Sequence, residues 1–251
     1  MELKRMARLA RAGDRVLTWF AGFIVLLMLL YGGYSLWDTN NVMNGGFISD
    51  ELLHYKPTGA NDCARLQELM AKNPDVVGWV TIDGTNIDYP FVQGKDNQEY
   101  LNKNVLGESA VSGAVFLDTR NSRAMTDSYN LLYAHHMDNG AMFGDVDRFL
   151  DMGFFGLHRT GTLYTKDGAF RLRIVAVCSF AASDDIIFGP GNLDQASMQT
   201  LLTHVSQTAV HENMDDVGPD ARIIALSTCS DKTNGRRALI AEVLQLIEYP
   251  D

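Results

Sequence analysis

Cysteine is scarce in this chain. There are three in 251 residues: Cys63, Cys178 and Cys229. An odd number does not make a disulfide framework, and their spacing matches no zinc-binding pattern. At least one thiol is therefore expected to be free. Basic charge is scarce as well, with 21 Lys and Arg against 31 Asp and Glu. Five of the basic residues (Lys4, Arg5, Arg8, Arg11 and Arg15) crowd into the first fifteen positions, leaving 16 basic and 29 acidic side chains in the rest. Such an acidic body lacks the clustered cations that phosphate binding requires, which argues against nucleic acid as a partner. Repeats and low-complexity tracts are absent. Residues 16–37 contain no charged side chain at all.

That charge-free stretch is the first positive signal. Twenty-two helical residues rise about 33 Å, enough to cross a bilayer core. Trp19 and Trp37, with Tyr31 and Tyr34, suit the membrane interface. The basic residues precede it, so the positive-inside rule places residues 1–15 in the cytoplasm as a basic tail, 16–37 as a single-pass anchor, and the remainder outside the cell. A cleaved signal peptide is the alternative. The span is long for one, and no small-x-small cleavage site follows it.

Beyond the anchor, residues 38–74 form an expected tether with N-terminal helices. Asn44-Gly45-Gly46 ends any helix continuing from the membrane. Leu66, Leu69 and Met70 share one face of a helix over 62–72, which Asn73-Pro74 stops. From residue 75 the pattern changes to short strands: 76–82, 86–92, 112–118, 130–134, 162–165, 169–180, 222–226 and 237–247. Asp83-Gly84 and Lys166-Asp167-Gly168 are turns between them. Pro90 cannot donate to a ladder and marks an edge or a bulge. The linkers are mostly too short for parallel crossovers, so a mainly β barrel or sandwich with peripheral helices, largely antiparallel, is expected over 75–251. An inserted helix over 194–210, with Met198, Leu201, Leu202 and Val205 on one face, precedes the last pair of strands.

Chemistry concentrates near the C-terminus. The apolar run 223–226 delivers Ser227, Thr228 and Cys229, and after a turn-like stretch over 230–235 come Arg236 and Arg237. A thiol becomes a good nucleophile as the thiolate, which needs a base or a cation nearby. Cys178 lies inside an apolar run and suits a small buried hydrophobe, and Cys63 begins a helix. Of six histidines, only the adjacent pair His135 and His136 opens a loop directly after a strand, where a base would have both rigid support and solvent access. Adjacent residues on extended backbone point to opposite faces, so the pair is a poor metal site, and no metal is expected. By the same alternation one of Arg236 and Arg237, at most, points toward the thiol. On the residues alone, either member of each pair remains open.

The order of these pieces resembles one family. Asn73-Pro74-Asp75-Val76-Val77-Gly78-Trp79, then Gly84-Thr85-Asn86-Ile87-Asp88-Tyr89-Pro90, looks like the opening of a class B sortase barrel. Gly113-Ala114-Val115-Phe116-Leu117-Asp118 is similar to the next landmark. Tyr133-Ala134-His135-His136-Met137 resembles the catalytic-histidine motif, with alanine where glycine is more usual, and Leu226-Ser227-Thr228-Cys229 matches the catalytic-cysteine motif. The resemblance runs over 73–243.

It implies a closed eight-stranded barrel with the 194–210 helix inserted before the cysteine strand. It also implies a cell-wall cysteine transpeptidase of Gram-positive type. The enzyme would cut a C-terminal sorting signal of a secreted protein after Thr, hold the acyl group as a thioester, and pass it to an amine of a peptidoglycan precursor or a pilin lysine. No cofactor is needed. Cys229 would be the nucleophile, His135 the acid/base and Arg236 the oxyanion-stabilising cation, with Arg237 and His136 as the alternatives. Counting back from Ala241 favours Arg236. Tyr133, Ser227 and Thr228 would be site walls, and Ile186 and Ile187 would line the substrate groove. Two competing readings are a cysteine endopeptidase on the same scaffold, with water as acceptor, and a non-catalytic surface protein.

Overall fold

The computed structural model describes residues 2–59, 64–229 and 235–246, apart from the side chains of Cys229 and Leu246. Cys63 and most of the turn expected over 230–235 lie outside the described residues. The chain divides into two compact units, Met1–Val42 and Met43–Asp251.

The first unit is helical. Helix α1 (Glu2–Gly45) runs unbroken through the charge-free stretch and ends at the glycine pair that the sequence marks as a breaker. Its most apolar window has a mean hydropathy of 2.1, and by length and composition the helix can cross a membrane.

The second unit opens with a single helical turn, α2 (Asp50–Leu53), and then α3 (Ala64–Lys72). The strands follow as β1 (Val76–Ile82), β2 (Asp88–Val92), β3 (Val115–Leu117), β4 (Tyr129–Ala134), β5 (Thr160–Thr165), β6 (Gly168–Ala181), β7 (Ala209–Glu212), β8 (Ile223–Cys229) and β9 (Gly235–Leu246). Helix α4 (Met152–Leu157) lies between β4 and β5, and α5 (Gln195–Thr208) between β6 and β7. The sheet order is β5-β1-β2-β3-β4-β8-β9-β6, and β6 pairs back with β5 to close an eight-stranded barrel. Pairings are antiparallel except β2–β3 and β4–β8.

Residue chemistry explains why the strands around the cysteine are so apolar. The barrel interior holds Val80, Phe91, Leu132, Ile174, Leu226 and Leu239, all buried. The outer face of β4, β6, β8 and β9 is covered as well: Leu131, Val175, Cys178, Ala225 and Ile240 pack against Met198, Leu201, Leu202 and Val205 of α5. Strands buried on both faces read as continuous hydrophobic runs rather than alternating ones, which is why 223–226 has no polar residue. Asp194 caps α5 by accepting the Ser197 N–H at 2.8 Å. Cys178 fits its expected role as a core residue. It is fully buried, its Sγ lies 3.6 Å from the Val205 carbonyl, and burial pushes its thiol up to about 12, so it stays protonated.

Three expectations need correction. The inserted helix stops at Thr208, and 209–212 form β7, which pairs with β6 over Ala176–Cys178, beyond the reach of β5. The strand expected over 112–118 is only Val115–Leu117. Gly113 takes φ +63° and passes so close to the chain that a Cβ would sit 2.7 Å from the Leu101 carbonyl. Pro90 lies in an interior strand rather than at an edge. It faces Trp79 of β1, and β3 pairs only with Phe91 and Val92, so its missing N–H breaks no ladder bond on that side. The sequence signals also gave no sign of the 3-10 segment Gly144–Leu150, which buries Asp145, Val146 and Phe149.

Candidate active site

The ends of β4, β8 and β9 lie side by side. In the parallel β4–β8 pair, Tyr133 is opposite Ser227 and Ala134 opposite Thr228, so His135 follows at the step occupied on β8 by Cys229. In the antiparallel β8–β9 pair, Cys229 is directly opposite Arg236, and Thr228 opposite Arg237. Three strands thus bring His135, Cys229 and Arg236 to one end of the sheet.

A pocket of about 300 Å³ opens there. Tyr133, Ala134, Ser227 and Arg236 come from the sheet, Phe116 from β3, Asn97 and Leu101 from the β2–β3 connection, and Ala182 and Phe188 from the segment after β6. Tyr133 stands between Phe116 and Phe188, with ring centroids 5.3 and 6.2 Å away. The His135 ring reaches the Leu101 carbonyl through Nε2 at 2.8 Å. A carbonyl only accepts, so in this contact Nε2 carries the proton.

A buried carboxylate organises the far wall. Asp118 is fully buried and receives Nε and Nη2 of Arg120 at 2.9 and 2.7 Å, the Tyr133 hydroxyl at 2.8 Å and Asn97 Nδ2 at 3.0 Å. Burial works against its charge, but the hydrogen bonds and charge of Arg120, with the Tyr133 hydroxyl, outweigh that and hold the carboxyl below the usual range. Burial and the adjacent carboxylate push the Tyr133 phenol well up, so it remains a donor. Asp118 therefore fixes two pocket walls, Tyr133 and Asn97.

The second histidine and the second arginine go elsewhere. His136 Nε2 lies 3.0 Å from Asp147 Oδ2, and Arg237 Nη1 donates to the same oxygen. Neither lines the pocket. The structure thus separates the two adjacent pairs: Arg236 lines the pocket and His135 contacts one of its walls, while His136 and Arg237 converge on Asp147.

Three expected wall residues are placed differently. Thr228 is fully buried and in step with the interior residues Ile224 and Leu226, so it is not a pocket wall. Ile187 is also fully buried, with its carbonyl accepting the Tyr129 hydroxyl at 2.7 Å. Ile186 borders a separate depression beside Thr203 and His204 of α5. The wall residue from that segment is Phe188, one position further on. Sequence reasoning also missed Asn97, Leu101 and Asp147. Asp118 did carry a signal, as a charge directly after an apolar strand. Among the described residues, no three His, Cys, Asp or Glu side chains are grouped to hold a metal.

No protein-family model matches the chain. Individual proteins do. The chain is 34% identical over 178 residues to Sortase B of Listeria monocytogenes, covering 69% of this chain and 72% of that protein. It is 40% identical to the structure of a Streptococcus pyogenes class B sortase involved in pilus biogenesis, covering 70% of this chain and 96% of that one, with a TM-score of 0.65. It is 26% identical to a Staphylococcus aureus sortase B–substrate complex, covering 75% and 87%, with a TM-score of 0.68.

Proposed function

The chain belongs to the class B sortases and is a cysteine transpeptidase; from that premise we propose that Cys229, His135 and Arg236 carry the reaction on a C-terminal sorting signal. The supporting observation is the strand register, which sets Arg236 opposite Cys229 and His135 one step past Ala134 beside a pocket. The Cys229 thiolate attacks the carbonyl of the Thr at the cleavage point. The oxyanion that forms is stabilised by the Arg236 guanidinium, a permanent cation with a planar set of donors. His135 gives a proton to the departing amine as the C–N bond breaks, leaving a thioester. An incoming primary amine then attacks the thioester, passes its proton to His135, and releases the Cys229 thiolate.

In this reading residues 1–15 are a cytoplasmic tail, 16–37 a single-pass anchor, 38–74 the connecting segment and 75–251 the catalytic barrel outside the cell. The acceptor we favour is a lysine amine of a pilin rather than a wall peptide. The support is the 40% identity to a sortase involved in pilus biogenesis, against 26% for the S. aureus enzyme. Mass spectrometry of the chain incubated with a library of sorting peptides, with and without an added amine, tests the whole. Cleavage, a thioester adduct lost in Cys229→Ala, and amine-ligated product are expected. Hydrolysis alone at all amine concentrations would make it an endopeptidase, and ligation to oligoglycine in preference to a lysine-bearing peptide would overturn the pilin reading.

A further inference from the structure

Residues 43–49, expected to be part of a tether, are docked on the loop that follows the histidine pair. Asn139 Nδ2 donates to the Met43 carbonyl at 2.8 Å, and the Ser112 hydroxyl donates to that of Gly45 at 3.2 Å. The Tyr89 hydroxyl donates to the Gly46 carbonyl at 3.0 Å and accepts the Met142 N–H at 2.9 Å. Gly46 is buried, and a Cβ there would lie 2.2 Å from Met137 Sδ and 3.0 Å from Ala141 Cβ.

The loop that receives this segment is tied directly to the histidines. The Phe143 N–H donates to the His135 carbonyl at 3.1 Å, and His136 forms a β-bridge with Met142. Met142 has φ +53°, a left-handed backbone that a side chain-bearing residue keeps only where its surroundings enforce it. What enforces it is the Tyr89 hydroxyl, held on its other side by Gly46. Tyr89 is itself only 5% exposed and rooted in the barrel interior, so its oxygen is a fixed point.

We propose that Tyr89 is a positioning residue for His135 and that residues 43–46 are part of the catalytic apparatus. Together they hold the 137–143 loop in the one conformation that places the imidazole beside Leu101. The proposal rests on His135 being the acid/base. Loss of the Tyr89 hydroxyl leaves the Gly46 carbonyl and the Met142 N–H without their shared partner. Met142 then relaxes and the histidine shifts, while the pocket walls, Asn97, Tyr133 and Phe188, stay where Asp118 and the sheet hold them. A displaced acid/base lowers turnover, and an intact pocket keeps substrate affinity.

The test uses the full chain in detergent micelles and the peptide that the unmodified chain cleaves fastest from a sorting-peptide library, well below the unfolding temperature. Tyr89→Phe, which keeps the ring and its packing, is expected to lower kcat on the order of tenfold to a hundredfold with KM unchanged. Asn139→Ala is expected to lower it less. Amide hydrogen exchange should quicken over 137–143 and stay unchanged over β8. Unaltered kcat in Tyr89→Phe, or a rise in KM that accounts for the loss, overturns the proposal. So does accelerated exchange across the whole barrel, since that reports general loosening. His135→Ala is the control: if it retains full turnover, the assignment of His135 has failed, whatever Tyr89→Phe does.

Discussion

On one face of the sheet end, Arg236 lines a pocket and His135 reaches a pocket wall. On the other, His136 and Arg237 meet on Asp147. The two faces carry the same residue types in adjacent positions, yet their surroundings give them different work. The pocket-side pair has few protein partners and faces space that a substrate can fill. The Asp147 pair is spent on the protein itself. Because β4 and β9 are separated by β8, the carboxylate of Asp147 links strand ends that do not hydrogen-bond to each other. It braces beneath β8 the two outer strands whose next-door residues face the pocket. Duplicated functional groups therefore read as one working set and one supporting set, sorted by strand alternation.

The sharpest way to break this contrast is to remove the histidines one at a time. His135→Ala is expected to lower kcat/KM by about 10²–10⁴, the range for loss of a general acid/base, while His136→Ala retains most activity. Equal losses in steady-state peptide cleavage would erase the distinction between the faces. The arginines come next. Arg236→Ala should cost about 10²–10³ in kcat, and Arg236→Lys should not restore it, because an ammonium lacks the planar fork. Arg237→Ala should act chiefly on the unfolding midpoint in urea.

The carboxylates sharpen the comparison further. Asp118→Asn is expected to destabilise the chain at neutral pH by roughly 2–3 kcal/mol, as a buried charged hydrogen-bond centre is lost. Its folded carboxyl titrates below the ordinary value of about 3.9, so the contribution is complete above that and disappears as the pH falls through the lowered folded value. Denaturation of the parent and Asp118→Asn at a series of pH values should therefore converge in acid. Asp147→Asn should cost less, about 1 kcal/mol, because the ion pair it breaks is partly exposed. A larger loss from Asp147→Asn than from Asp118→Asn in urea melts would reverse the ranking.

Much of this was legible before the structure. The barrel class, the inserted helix, the free core thiol at Cys178 and the strand ends carrying His135 and Cys229 all follow from runs, turns and spacing. Those signals are local. What escaped was non-local. Asp147 lies in a 3-10 segment with no period to betray it, and its partners are 11 and 90 residues away along the chain. Leu101 and Asn97 reach the pocket through an irregular connection whose course depends on Gly113. Ile187 was misplaced for a different reason: in a segment that folds back on itself, apolar character does not tell which residue turns to the pocket and which to the core, and there Phe188 takes the pocket. Strand β7 was missed because its residues continue the apolar spacing of α5, and only the bare edge of β6 beyond β5 explains why they extend.

That small strand has a consequence for how copies of the enzyme behave when crowded together. A fourteen-residue strand such as β6, left open along half its length, would offer a ready template for the strand of a neighbour. β7 occupies that edge with only four residues, interrupts its own register between Val177 and Cys178, and carries Glu212 at its end. The open edge it presents in turn is short, kinked and charged, a poor seed for sheet-to-sheet aggregation. The barrel can thus close around its core with little tendency to recruit its neighbours into a fibre.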